Sequence, residues 1–443
     1  MNTSNRRQFL SAAAAAAGAP FILPSRVWSA ETKPNSQLGV GLIGMGRQNG
    51  GHLGHFLGRA DTHVVAVCDV DKNRRDDAKA RADKKYGNSD CAAYNDLHEL
   101  LARKDIDVVC IATPDHWHAI AGIAAAKAGK DIFGEKPLTH NVHEALALTK
   151  AVRDNNRVFQ TGSMQRSMKE FRVACELVQN GVIGTVKTIT TQFGDPAYPD
   201  AYPEEPMEPG LDWDRWCGPG PVVPYNHELS PRGPCQTFPN WRKTREFGGG
   251  MITDWGAHHI DIAQWGLGVD DTGPVEVIAP EGWETAKRGA KLVYANGVVL
   301  THGEGFGVSF YGTDGEVHVN RGKFKLVLKG ETKFYYDKAD EACKKTTLLR
   351  EVTFAENEFL KDAKIKLYDS KEHHQDFLDA VASRGRPICD VAVGATSAIS
   401  CHLMNMAYWH GAHVKWDPVK RDFIGGGDPK WLTREYRGDY KVA

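Results

Sequence analysis

A glycine-rich turn set between a short apolar run and a helical stretch constrains this chain more than any other feature. Leu38-Gly39-Val40-Gly41-Leu42-Ile43 reads as a buried strand and runs straight into Gly44-Met45-Gly46-Arg47-Gln48-Asn49-Gly50-Gly51 ahead of a helix. Glycines in such a turn let backbone N–H groups approach a pyrophosphate at the helix N-terminus, which makes Gly44, Met45, Gly46 and Arg47 candidate cofactor contacts. The third glycine of the usual G-x-G-x-x-G spacing is Asn49 here. Gly50 or Gly51 must then supply the close packing of helix on strand, or the loop is one residue longer. The next strand pattern, His63-Val64-Val65-Ala66-Val67-Cys68, ends in Asp69, about twenty residues on, where a carboxylate meets the adenosine ribose. Asp69-Val70-Asp71 also suits an ordinary turn. The charge of Asp69 repels a 2′-phosphate and favours NAD, whereas Lys72, Arg74 and Arg75 lie close enough to accept one and admit NADP.

Strand and helix signals keep alternating. Asp107 to Ala112 predicts a buried strand, Ala119 to Ala128 a helix closed by Gly129, Asp131 to Gly134 a strand, Val142 to Arg153 a helix and Val158 to Thr161 a strand. This order predicts a doubly wound parallel sheet over residues 37–162, in which ligands bind outside the carboxyl ends of the strands. Those ends carry Gly44, Asp69, Thr113-Pro114, Glu135-Lys136-Pro137 and Gly162-Ser163-Met164-Gln165-Arg166. Every tip is polar or glycine-rich.

At 443 residues the chain exceeds one ordinary core, so a second domain is expected over 163–443. There the pattern turns β-rich: Val186 to Phe193 alternates like a one-sided strand, as do Val275 to Ile278, Gly297 to Thr301, Val308 to Tyr311 and Glu316 to Val319, with Gly312-Thr313-Asp314-Gly315 as a hairpin turn. Helices over 374–383 and 394–410 should pack back on the first domain. A net charge of -1 with well-mixed signs points away from nucleic acid and toward a small-molecule partner. Of the nine cysteines, Cys217 and Cys235 in a loop-rich stretch are the plausible disulfide partners. No metal spacing stands out, and adjacent His373 and His374 suit one shared ion poorly.

Phe247 to Asp261 opens with three consecutive glycines, Gly248 to Gly250, and then carries Asp254 and His258 at i and i+4 and Asp261 one turn later, so that a helix would project Asp254 and His258 from one face. With Lys136 they bring a carboxylate, an imidazole and an ammonium to one pocket, where neutral His accepts a proton from a hydroxyl. Ahead of them, Asp195 to Glu246 is rich in Pro, Gly and aromatic residues, including Trp213, Trp216, Tyr225 and Trp241. A stretch this long reads as a lid or binding loop stacking on sugar faces, with Arg232, Arg242 and Arg245 to meet hydroxyls or a carboxylate, or as loop packing or a subunit contact.

Asn5-Arg6-Arg7-Gln8-Phe9-Leu10, an Ala-rich run to Leu23 and small residues at Ser29-Ala30 resemble a twin-arginine export signal over residues 1–30, which predicts a periplasmic or otherwise exported protein. That run is too short and weakly apolar for a permanent membrane span, and no other is long enough.

From about residue 37 onward the chain resembles the glucose-fructose oxidoreductase, inositol dehydrogenase and MocA family. The match runs in order through the glycine loop, Asp69, Ala112-Thr113-Pro114 with His116 and His118, Glu135-Lys136-Pro137, Gly181-Val182-Ile183-Gly184 and the D-x-x-x-H segment after three glycines. The resemblance implies an N-terminal Rossmann domain and a C-terminal α/β domain with a largely antiparallel sheet that supports a homo-oligomer, dimer or tetramer. It implies NAD or NADP held by Gly44, Met45, Gly46, Arg47, Asp69, Thr113, Pro114, His118, Glu135 and Lys136, often with a cis peptide before Pro137. It places Lys136, Asp254 and His258 in the catalytic positions, with Arg166, Trp241 and His259 toward the substrate. The activity implied is hydride transfer between nicotinamide and a sugar, cyclitol or polyol carbon. The alternatives are a redox-neutral glycoside hydrolase or lyase that oxidises its sugar transiently, and a non-catalytic nucleotide-binding protein.

Overall fold

The computed structural model describes residues 37–199, 201–234 and 237–442; the export-signal segment and Cys235 lie outside them, and Cys217 is a buried free thiol. The first sheet forms from runs apolar on both faces: β1 (Leu38–Ile43), β2 (Thr62–Cys68), β3 (Ala92–Tyr94), β4 (Val108–Ile111), β5 (Asp131–Gly134) and β6 (Phe159–Thr161). All pairings are parallel and the order is β3-β2-β1-β4-β5-β6, so the strand order reverses between β1 and β4 and their C-terminal ends open the crevice. Strand β3, only Ala-Ala-Tyr, carries no sequence signal of its own. Helices Arg47–Leu57, Lys72–Tyr86, Asp115–Lys127 and Val142–Asp154 cross over between strands; Asp71 and Asn141 cap two of them by accepting from Asn73 N–H and Glu144 N–H.

The second sheet has ten strands: β7 (Val186–Thr191), β8 (Pro274–Ile278), β9 (Lys291–Tyr294), β10 (Val299–His302), β11 (Val308–Gly312), β12 (Gly315–Asn320), β13 (Lys323–Leu328), β14 (Glu331–Asp337), β15 (His413–Asp417) and β16 (Asp422–Gly425). Every pairing is antiparallel except β7 with β10, in the order β14-β13-β12-β11-β7-β10-β9-β8-β15-β16. Helices Lys169–Gln179 and Gly256–Leu267 lie on this sheet. The approach is close: a Cβ on Gly266 would stand 2.5 Å from the Phe310 ring.

The tail returns to the first sheet. Helix His373–Ser383 sends Phe377, Leu378 and Val381 into the apolar cluster that holds Val40, Leu42, Val108 and Phe133, and helix Val391–His410 packs against Val142–Asp154. Loss of apolar surface to water at this seam, worth about 25 cal/mol per Å², ties the two sheets into one body. Among the described residues no helix is long and apolar enough to cross a membrane.

Candidate active site

A cavity of about 530 Å³ opens at the C-terminal ends of β1 and β4, within the size range of cofactor clefts. At its nucleotide end the glycine loop lies directly on the exit of β4, since Gly44 has φ +81° and a Cβ there would stand 2.9 Å from Thr113. Gly46 lines the cleft with nothing within 4 Å of where its Cβ would be, which leaves room for a phosphate against the backbone. Neither Gly50 nor Gly51 replaces the missing glycine: their Cβ positions are nearly or wholly open. Asn49 does so itself, fully buried, its Nδ2 donating to Ile43 O at 3.1 Å and Cys110 O at 3.4 Å and so pinning the helix to two strand ends.

The carboxylate of Asp69 accepts from Met45 N–H at 2.5 Å and from Asp71 N–H at 2.8 Å while lining the cleft beside Thr113 and Pro114. The side chain that closes the turn after β2 is thus also one that lines the cleft. Met45 contributes this backbone bond, its side chain being buried. The nearby cations are already engaged: Lys72 pairs with Asp76, Arg75 donates to Asp69 O and Asn95 Oδ1, and Arg74 donates to Ser230 Oγ and Pro231 O.

Those bonds of Arg74 come from the long aromatic segment, whose placement differs from a lid over the sugar alone. It has its own apolar cluster, built on Leu211, Trp213, Trp216, Tyr225, Trp241 and Phe247, and lies across the β2 turn: Leu211 bridges Asp71, Lys72 N–H donates to Gly210 O and Asp212 N–H to Val70 O. It walls the nucleotide end with Trp216, Leu229 and Phe238 and reaches the reacting end with Trp241 and Arg242. Arg232 and Arg245 do not line the cleft; they stack on Tyr225 and Trp409.

The reacting end is built from β5's exit and the two short helices Gly250–Asp254 and Gly256–Leu267, which meet at Trp255. Lys136, whose peptide to Pro137 is cis, binds the Asp254 carboxylate and, at 3.2 Å, the Asp254 carbonyl. Arg242 Nε stands 3.6 Å from the other carboxylate oxygen. Burial opposes charge on Asp254, but Lys136 and Arg242 outweigh it and hold the carboxyl below its usual range. His258 is buried, and burial followed by the charges of Lys136 and Arg321 keeps its imidazole well below the ordinary value. It is neutral, and among the described residues its Nδ1 has no partner. Asp254 is committed to the two cations rather than to His258.

Asp115 is a fourth titratable group that sequence reasoning missed. It lines the same cleft, and burial followed by the Asp254 charge pushes its carboxyl up to about 8, so it keeps its proton at neutral pH. The only signal was its place directly after the Thr113-Pro114 strand tip.

Residues 38–163 match the oxidoreductase family, NAD-binding Rossmann fold, and residues 198–306 match the C-terminal alpha/beta domain of the same family. The chain belongs to the Gfo/Idh/MocA oxidoreductase family. Myo-inositol 2-dehydrogenase of Thermotoga maritima is 31% identical over 36% of this chain and 46% of its own length. A glycosyl hydrolase family 109 protein of Shewanella pealeana is 33% identical over 32% of this chain and 35% of its own. The chain thus matches under half the length of either relative. The structure of levoglucosan dehydrogenase in complex with NADH and L-sorbose has the same fold, with a TM-score of 0.56 at 21% identity, covering 87% of this chain and 100% of that one.

Two residues expected at the substrate of this Gfo/Idh/MocA member do not line the main cleft. Arg166 is 2% exposed and donates to Asp261 and Asp270 at 2.7 to 2.9 Å, because a guanidinium that deep needs carboxylates around it. It does not line the cleft, and Asp261 faces it rather than His258. His259 packs its Nδ1 against Gln192 O at 2.6 Å and lines a side cavity on the far side of Trp255. His118 lines the cleft, but its ring nitrogens face the carbonyls of Pro137 and Thr113, so it braces the loops that carry Lys136. Glu135 is held by Gln48 and His52, which with Lys136 outweigh its burial and keep its carboxyl at about 2.

His52 in turn meets His374, and His55, Glu372 and His374 form the one His and carboxylate group close enough for an ion among the described residues. The His55 and His374 rings stack at 4.1 Å and 21°, so their lone pairs lie in separate planes rather than converging on a metal. His373 points the other way, to Thr161 O and Ser167.

Proposed function

We propose that this chain is an NAD-dependent oxidoreductase that moves hydride between nicotinamide and a carbon of a sugar, cyclitol or polyol. The convergence of Lys136, Asp254 and a neutral His258 on the cleft that also holds the glycine loop and Asp69 carries this reading. A nicotinamide dinucleotide fits there, with Gly44, Gly46 and Arg47 at its phosphates and Asp69 at its ribose, and supplies the hydride chemistry when bound. The protein does the rest. The neutral His258 imidazole takes the hydroxyl proton as that carbon loses hydride and becomes a carbonyl. Lys136 donates to the same oxygen and stabilises its developing charge, while Asp254 keeps the ammonium aimed into the cleft. Protonated Asp115 offers one more donor. Trp241 and Phe238 keep water out. Absorbance of reduced cofactor on mixing with myo-inositol, levoglucosan and glucose tests this; no reduction with any sugar or polyol counts against it.

NAD is favoured over NADP because the Asp69 carboxylate faces the ribose position and Lys72, Arg74 and Arg75 are engaged elsewhere. Asp69→Ala should weaken NAD and raise the relative use of NADP; it should also loosen the glycine loop, because it removes the bond to Met45 N–H. A second reading, redox-neutral glycoside hydrolysis or elimination, is favoured by the likeness to a glycosyl hydrolase family 109 protein. Product sugar released from a glycoside with no net cofactor reduction would select it. A nucleotide-binding protein without catalysis is the third reading, and wild-type turnover in His258→Ala would point that way.

We further propose that the protein is exported through the twin-arginine route and carries its cofactor with it, since the aromatic segment spans the nucleotide end of the cleft. Periplasmic protein should yield nucleotide on denaturation, and Arg6→Lys with Arg7→Lys should keep it in the cytoplasm. A homo-oligomer, dimer or tetramer, is proposed on the ten-stranded sheet and is read by light scattering.

A further inference from the structure

A side cavity of about 480 Å³ adjoins the reacting end of the cleft and shares Met251, Trp255 and Arg321 with it. Its wall holds the cations Arg288, Arg321, Lys323 and Lys338 beside His259 and Asn320, and no carboxylate lines it. Two of those cations are neutralised: Arg288 by Asp195 and Glu304, and Lys323 by Asp337. Arg321 is not. Among the described residues no carboxylate lies within ion-pair distance of its guanidinium, and its buried Nε has no hydrogen-bond partner. The guanidinium lies over the Trp255 ring, 4.9 Å from its centroid, at the mouth between the two cavities. Glu135, Asp254 and Glu170 act on it only from farther off, and burial lowers its hold on the proton.

A partly desolvated guanidinium with no carboxylate partner is costly unless something brings it a charge. Its planar fork matches the two oxygens of a carboxylate or the oxygens of a phosphate, and the aromatic face beside it suits a sugar ring. His258 lies on the cleft side of the same Trp255, with its own Nδ1 unpartnered and the rings 6.0 Å apart at their centroids. A sugar seated on Trp255 would present one end to Arg321 and a ring carbon to His258 and Lys136. We propose that Arg321 forms an anion subsite and that the substrate is an acidic sugar, carrying a carboxylate or a phosphate, rather than a neutral one. The proposal rests on the oxidoreductase reading for its chemistry and on the cavity alone for its binding.

The test is calorimetric titration of the full-length, cofactor-loaded protein with glucuronate, glucose 6-phosphate and glucose at low salt, recording nicotinamide absorbance in parallel. At least one anionic sugar should bind about tenfold or more tightly than glucose, the size of effect that one hydrogen bond to a charged group carries. Preference for glucuronate assigns a carboxylate, and preference for glucose 6-phosphate a phosphate. Arg321→Gln should abolish the preference and Arg321→Lys keep part of it, each read as the ratio of anionic-sugar to glucose affinity within the same variant. Equal affinity for all three sugars, no binding by any, or an unaltered preference in Arg321→Gln overturns the subsite. Anion preference without cofactor reduction leaves the subsite standing and counts against the dehydrogenase reading instead.

Discussion

The two walls of the cleft are specified in opposite ways. One wall is the row of strand tips, with the glycine loop, Asp69, Thr113-Pro114 and Glu135-Lys136, each held by bonds to the neighbouring strand or turn, such as Asp69 to Met45 N–H. The other is the aromatic segment, which reaches the same cleft only because Leu211, about 140 positions along the chain, bridges Asp71, and because Arg74 ties down Ser230 and Pro231. The first wall is a property of the sheet and exists wherever the sheet folds. The second has its own apolar cluster, so loosening it is expected to leave the sheet folded, and chemistry and cofactor retention should separate under mutation.

The largest separation is expected at the reacting end. His258→Ala and Lys136→Ala should each lower turnover by about a hundredfold to ten-thousandfold, the range for losing a positioned acid or base, with cofactor affinity nearly unchanged. Steady-state kinetics beside a nucleotide titration reads both quantities. Arg166→Ala should behave oppositely. It strands Asp261 in the core and should cost roughly 3–5 kcal/mol in chemical denaturation, whereas turnover per folded molecule stays near wild type. Loss of turnover at full stability would return Arg166 to the substrate.

Trp216→Ala sharpens the contrast from the other wall. Removing a ring stacked on Trp213 and edged against Phe247 should raise the cofactor dissociation constant about tenfold while the rate at saturating cofactor holds. The smallest effect concerns pH. Asp115 keeps its proton until pH passes about 8, and as it ionises above that a second negative charge forms near Asp254, so kcat/KM should fall on the alkaline side. Asp115→Asn imitates the protonated form and should remove that limb; an unchanged alkaline limb would assign it to another group.

The sequence made the first wall legible because its signals are local. A strand of apolar residues, a glycine turn and an acidic residue after the next strand sit within one supersecondary unit, and the short D-x-x-x-H spacing brings Asp254 and His258 to one cleft although the helix expected to carry both breaks at Trp255 between them. What escaped depends on distance along the chain or on short, charged strands. Strand β14, at the sheet edge, carries Glu331, Lys333 and Asp337, and β13 beside it carries Lys323 and Lys325, charged residues that weaken the pattern of both. The partners of Arg166 lie 95 and 104 residues away, and nothing local told a substrate arginine from a buried one. Asn49 looked like a defect in the glycine loop, yet its side chain makes two backbone bonds that a glycine could not. Arg321 stands just past β12 with no motif around it, and only the folded cavity shows its unmade bond.

The central claim is that hydride moves directly between a substrate carbon and the nicotinamide in this cleft. It is tested most directly by giving the cofactor-loaded protein a sugar uniformly deuterated at carbon and analysing the released nucleotide by mass spectrometry. The account predicts one deuterium on the nicotinamide ring, in wild type and not in His258→Ala. A nucleotide free of deuterium, while the sugar is converted or its label washes into water, would contradict it.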